Sequence, residues 1–207
     1  MKTPDDLLAG YRRFRRGSYT RHAALFRELG QGQDPDIMVV ACADSRADPA
    51  QIFDAAPGQL FVVRNVANLV PPYETDEGLH GVSAALEFAV TALKVSHIVV
   101  MGHGGCGGVA ASLKGVTTDP VGQFIAPWVR LLNDARDDVL AEGGDDPQTR
   151  LEHRAVGLSL ANLMTFPFVR EAVEAGRLKL HGAWFAIGLG ELHWRNPDTG
   201  CFDTVKA

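Results

Sequence analysis

Three apolar runs of strand length mark the first half of the chain: Ile37-Met38-Val39-Val40-Ala41, Leu60-Phe61-Val62-Val63 and Ile98-Val99-Val100-Met101. Runs that are apolar at successive positions, rather than alternating, suit parallel strands covered on both faces. Between the second and third, Val82, Ala85, Leu86, Ala89, Val90 and Leu93 recur at helical spacing. The order strand, helix, strand predicts a βαβ unit. Ahead of the first run, Leu7, Leu8, Tyr11 and Phe14, then Ala23, Ala24, Phe26 and Leu29, predict helix over 5–30. Beyond the third, helices are expected near 121–142 and 148–174, parted by the loop Gly143-Gly144-Asp145-Asp146-Pro147. A fourth strand is expected over 178–187, and a hairpin over 191–205 turning at Asn196-Pro197-Asp198-Thr199-Gly200. The expected fold is α/β. A mostly parallel central sheet is flanked by helices, with an antiparallel C-terminal edge, in one domain over 31–207 behind a helical arm over 1–30.

Composition narrows the function classes. A chain of 207 residues, 46% hydrophobic and 22% charged, can bury a sizeable core. Its formal net charge of -5 argues against nucleic acid as a partner. The arm carries Arg12, Arg13, Arg15, Arg16, Arg21 and Arg27, but without aromatic interleaving this reads as a solvated helix face. No apolar run is long enough to span a membrane, and no signal-peptide core follows Met1. The three cysteines, Cys42, Cys106 and Cys201, do not form a disulfide framework and suit a reducing, cytoplasmic setting.

The candidate chemistry sits where two of the strands end. The first run closes on Cys42-Ala43-Asp44-Ser45-Arg46 and the third on Gly102-His103-Gly104-Gly105-Cys106-Gly107-Gly108. Carboxyl ends of parallel strands are where open sheets bind ligands. Two thiolates and an imidazole make a good tetrahedral zinc set, leaving a fourth position for water or a carboxylate. Two rival motifs are weaker. Gly102 to Gly107 matches the dinucleotide fingerprint G-x-G-x-x-G, but the stretch 114–120 lacks the strand that fingerprint needs. Cys42 beside Arg46 hints at a thiol phosphatase, but Asp44 would put a carboxylate where the phosphate must sit. The remaining histidines and Cys201 read as ordinary structural residues.

These motifs, with Phe61-Val62-Val63-Arg64-Asn65-Val66-Ala67-Asn68 between them, resemble the signature of the beta-class carbonic anhydrases, in its plant-like subgroup. The likeness is clear over about residues 31–113 and looser over the whole chain. It implies reversible hydration of carbon dioxide to bicarbonate, with one zinc per chain held by Cys42, His103 and Cys106. It implies a dyad of Asp44 and Arg46, with Asp44 able to take the fourth zinc position in a closed state. It implies a substrate pocket of Gln33, Phe61, Val66 and the Gly107 amide. Phe88 stands where the family has a tyrosine, which removes a hydroxyl. It also implies a homodimer or larger homo-oligomer, with the arm crossing to the partner. Some members bind bicarbonate at a second site through a tryptophan three residues before the first cysteine. Here that position is Val39, so no such inhibition and an open zinc site are expected.

Overall fold

The computed structural model describes residues 2–76, 78–115 and 122–206. The chain divides into two compact units, Met1–Asp34 and Pro35–Ala207. In the first, the expected single helix is three. Helix α1 (Pro4–Arg16) starts at a capping box of Thr3 and Asp6 with proline at its first position. Gly17 ends it, and α2 (Ser18–Arg21) and α3 (Ala23–Leu29) follow. Phe14, Tyr19 and Phe26 cluster edge-to-face and stacked, with Arg15 over the Tyr19 ring. Leu7, Leu8 and Tyr11 are left more than half exposed.

In the second unit β1 (Ile37–Cys42) leads through a short α4 (Pro49–Ile52) to β2 (Leu60–Asn65) and a 3-10 turn, Val66–Asn68. Helix α5 (Gly81–Glu87) continues as a π segment, Phe88–Leu93, that stops at left-handed Lys94. Then come β3 (His97–His103), α6 (Gly107–Leu113), α7 (Ile125–Val129), a 3-10 turn, and α8 (Asn133–Glu142). The expected helix over 148–174 is broken by Thr165, Phe166 and Pro167 into α9 (Pro147–Leu163) and α10 (Pro167–Glu174), since proline cannot donate to a continuing helix. The chain closes with β4 (Lys179–Ala186), β5 (Glu191–Arg195) and β6 (Phe202–Thr204). The start of the helix expected from 121, and most of the stretch 114–120, lie outside the described residues.

The strands form one sheet in the order β2-β1-β3-β4-β5-β6. The first four are parallel, and β5 and β6 are antiparallel. This is the expected fold class. One sheet face packs Met38, Val40, Ile98 and Val100 against Leu86, Val156, Leu163 and Phe166, and the other buries Val39, Ala41, Val99 and Met101. Burial on both faces is why these strands read as continuous apolar runs. The pairing Ile37↔His97 and Ile37↔Leu60 sets the three runs level, so β1 and β3 deliver Cys42 and His103 to the same sheet edge.

Candidate metal centre

Cys42 is the last residue of β1, His103 the last of β3, and Cys106 caps the start of α6. Gly105, at φ +66, makes the reversal between His103 and Cys106 that a residue with a Cβ rarely adopts. The three side chains are buried, and their ligand atoms all lie within 4.8 Å of one another. Cys42 Sγ and Cys106 Sγ are 3.9 Å apart. Two sulfurs on a tetrahedral zinc would stand about 3.8 Å apart.

The donor set passes a stricter test. His103 Nδ1 donates to its neighbour's carbonyl, Gly104 O, at 3.0 Å, which leaves the lone pair on Nε2. That Nε2 is fully buried and has no hydrogen-bond partner. A buried polar atom without a partner calls for an explanation. An ion between Nε2 and the two sulfurs supplies one. The backbone amides of Asp44 and Ala67 favour the Cys42 thiolate, and those of Val109 and Gly108 the Cys106 thiolate. Such donors stabilise thiolates. The Cys106 thiol donating to it draws Cys42 down to about 4, against burial and with help from His103. The same contact, then burial, pushes Cys106 well up. Burial disfavours the His103 imidazolium, yet the Cys42 sulfur and the Gly104 carbonyl raise its pKa on balance.

Asp44 stands beside this group, its Oδ2 3.8 Å from His103 Nε2. It is turned to Arg46, whose Nε and Nη2 donate to its two oxygens at 2.9 and 2.8 Å while the Arg46 amide donates to Oδ1 at 2.9 Å. These bonds hold the Asp44 carboxyl far below the usual carboxylate range. Arg46 Nη2 also reaches Gly105 O at 3.2 Å, tying the dyad to the ligand loop. Arg64 braces the other side, donating to Cys42 O, Asp44 O and the Asp48 carboxylate.

The remaining sequence candidates divide. Val66 opens the turn after β2 and packs with the cluster that holds Cys42 and Cys106. A Cβ on Gly108 would fall 2.5 Å from its Cγ1, so α6 approaches that closely only with glycine there. Gly107, the first residue of α6, is exposed beside Cys106. Phe61 and Phe88 touch, with centroids 5.9 Å apart, but lie elsewhere. Phe61 pairs with Met38, whereas Cys42 pairs with Asn65. Four residues of strand put Phe61 roughly 13 Å from the level of its own Cys42. Phe88 is 47% exposed. Gln33 is exposed in the N-terminal unit, after α3.

Sequence reasoning passed over Glu152. It is 2% exposed on α9 and accepts from Cys106 N at 2.8 Å, Gln148 Nε2 at 2.6 Å and Trp184 Nε1 at 3.0 Å. An acid on the stripe that also carries Ala155, Ser159 and Leu163 was the available signal.

Similarity to known proteins agrees with this geometry. The sequence model of the carbonic anhydrase family matches residues 37–192. The chain is 36% identical over 183 residues to beta carbonic anhydrase 3 of Arabidopsis thaliana, covering 86% of this chain and 70% of that protein. Its fold superposes on the β-carbonic anhydrase CcaA with a TM-score of 0.88 at 31% identity, over 98% of this chain and 92% of that one. A tetrameric β-carbonic anhydrase of Sordaria macrospora gives 0.78 at 31% identity, over 96% and 94%. The β-carbonic anhydrase CafA of Aspergillus fumigatus gives 0.83 at 32% identity, over 95% and 93%. With a sheet that sets two cysteines, a histidine and an arginine-held aspartate on one edge, the chain belongs to the beta class of the carbonic anhydrase family and is a carbonate dehydratase, a lyase.

Proposed function

We propose that Cys42, His103 and Cys106 hold one zinc ion, and that carbon dioxide is reversibly hydrated to bicarbonate and a proton beside it. The observation that carries this reading is the buried, partnerless His103 Nε2 facing two thiol sulfurs. When bound, zinc supplies a Lewis acid that makes water nucleophilic near neutral pH.

The chain's own residues do the rest. Asp44 accepts a hydrogen bond from the attacking water and so aims its lone pair. Its Oδ2 is close enough to His103 Nε2 to compete for the fourth ligand position. The two guanidinium bonds from Arg46 hold it back and keep it ionised. Val66 offers an apolar wall suited to an uncharged substrate. The Gly107 amide, at the first turn of α6 where N–H groups lack helical partners, donates to a bicarbonate oxygen.

Phe61 and Phe88 complete the pocket from a second copy of the chain. The distance of Phe61 from its own Cys42 supports this, as does β2, an edge strand of the sheet with exposed Val62 and, nearby, exposed Phe88. The bare apolar stripe of Leu7, Leu8 and Tyr11 supports an arm that lies on a partner. Val62→Lys should therefore shift sedimentation toward the monomer and lower turnover while zinc stays bound. An oligomer of unchanged size would overturn the edge as the interface.

Bicarbonate acts here only as substrate or product. Val39 offers no polar group, and Arg64 is committed to Cys42 O, Asp44 O and Asp48. Among the described residues no helix is long and apolar enough to cross a membrane. The three free thiols support a cytoplasmic placement.

Stopped-flow hydration of carbon dioxide on freshly purified, metal-analysed protein tests the whole reading. Turnover with about one zinc per chain is expected. Zinc without turnover would make the chain a metal-binding relative that has lost the reaction. Absence of metal would remove the proposed site itself.

A further inference from the structure

Glu152 is the one buried carboxylate among the described residues, and no ion pair among them includes it. Its partners are neutral donors from three separate elements. Oε1 accepts from Cys106 N and from Gln148 Nε2, and Oε2 accepts from the indole N–H of Trp184 on β4. Gln148 also donates to Cys106 O at 3.1 Å, so one helix grips both sides of Cys106. A carboxylate buried with neutral donors alone is costly, because burial in low dielectric disfavours the charge. Stabilising α9 against β4 could be done by an amide or an apolar pair. Neither would accept from all three of these donors at once.

The contacted residue is the informative one. Cys106 is the N-cap of α6, and its own N–H has no partner within that helix. A glutamate three residues on often satisfies this amide, but Val109 stands there. Glu152 satisfies it from another helix. Fixing the Cys106 amide and carbonyl fixes the direction in which its Cβ and Sγ leave the backbone.

We propose that Glu152 is a positioning residue for the metal. It orients Cys106 Sγ toward Cys42 and His103 by holding the Cys106 backbone from a second helix. The inference rests on the zinc reading above. Partners one step outside the ligands commonly matter about 10- to 100-fold in metal affinity.

Glu152→Gln keeps the size but replaces one acceptor oxygen with a donating NH2. Whichever way the amide is turned, that NH2 meets a donor, either the Cys106 and Gln148 N–H groups or the Trp184 N–H. The zinc dissociation constant, measured by competition with a chromogenic chelator, should rise about 10- to 100-fold over wild type. Thermal unfolding of the metal-free protein, measured alongside, separates a loss of zinc affinity from general damage. Unchanged zinc affinity in Glu152→Gln, with or without lower metal-free stability, would overturn the proposal and leave the zinc site standing. A wild-type protein that binds no zinc would instead remove the reading beneath it. Should Glu152→Gln not fold, Gln148→Leu removes the donor shared by Cys106 O and Glu152 Oε1. It should weaken zinc by a smaller factor, roughly tenfold, and wild-type affinity there would count equally against Glu152.

Discussion

Asp44→Asn should lower the rate of carbon dioxide hydration by about 100- to 1,000-fold while leaving zinc content at the wild-type level. Asparagine is close to isosteric, and the three proposed ligands, Cys42, His103 and Cys106, are untouched. What changes is the acceptor set. The carboxylate takes two guanidinium bonds and one backbone amide and still has lone pairs to offer a water proton. An amide offers one oxygen, and its NH2 repels the Arg46 guanidinium. The Arg46 bonds keep Asp44 ionised far below neutral pH. A group whose folded pKa is depressed keeps its charge, and what that charge contributes, until pH falls through the folded value. Asp44 should therefore place no inflection in the activity profile between about pH 5 and 9. Stopped-flow kinetics with elemental analysis on the same preparation decides the matter. Wild-type turnover in the variant would show that Asp44 does not steer the reaction, and loss of zinc would show that it is itself needed to hold the ion.

The sheet was legible because its central strands, β1 and β3, are buried on both faces and its edge strand β2 opens on an equally apolar run. Ile37 to Ala41, Leu60 to Val63 and Ile98 to Met101 contain no polar residue, and each lies within an observed strand. The metal cluster was legible because strand ends are fixed points. Once β1 and β3 are parallel neighbours, Cys42 and His103 must share an edge, however far apart they lie in the chain. Features set by a single residue or by distant packing were harder to see. Gly17 ends α1 in the middle of a helical pattern whose period continues through it. The π segment Phe88–Leu93 inserts into a stretch whose apolar spacing still looks helical. Helix α4 is four residues long, too short for a period, although its Asp48 cap and Pro49 are ordinary start signals.

Side-chain destinations beyond the ligands depend on register and on elements remote in sequence. Phe61 reads as part of the motif that ends in Asn68, yet it stands at the far end of β2 from Asn65. No spacing rule along one chain reveals that. Glu152 lies 46 residues beyond Cys106, and only the packing of α9 brings them to 2.8 Å. In sequence its one mark is to be the only acid of α9, placed on the helix's buried stripe.

Cys106→Ser should abolish both zinc retention and turnover. Four-ligand zinc sites bind with about 10–16 kcal/mol, or roughly 2.5–4 kcal/mol for each ligand, so losing one should weaken zinc about 100- to 1,000-fold. Serine is a poor substitute because its hydroxyl is far less acidic than a thiol, and the ligand must be an anion. The scaffold cannot compensate. Glu152 and Gln148 hold its backbone, through the Cys106 N–H and carbonyl. A shorter, harder side chain is therefore held in a frame shaped for sulfur. Cys42→Ser and His103→Ala should lose metal to a similar degree. Cys201→Ser is the control, since that thiol is exposed in the turn before β6 and is not part of the buried cluster. It should keep wild-type zinc and hydration. Dialysis against a chelator followed by elemental analysis separates the variants, and adding zinc back at saturating concentration shows whether affinity or folding was lost. Stoichiometric zinc in Cys106→Ser after dialysis, or its loss from Cys201→Ser, would mean the ion is held elsewhere in the chain.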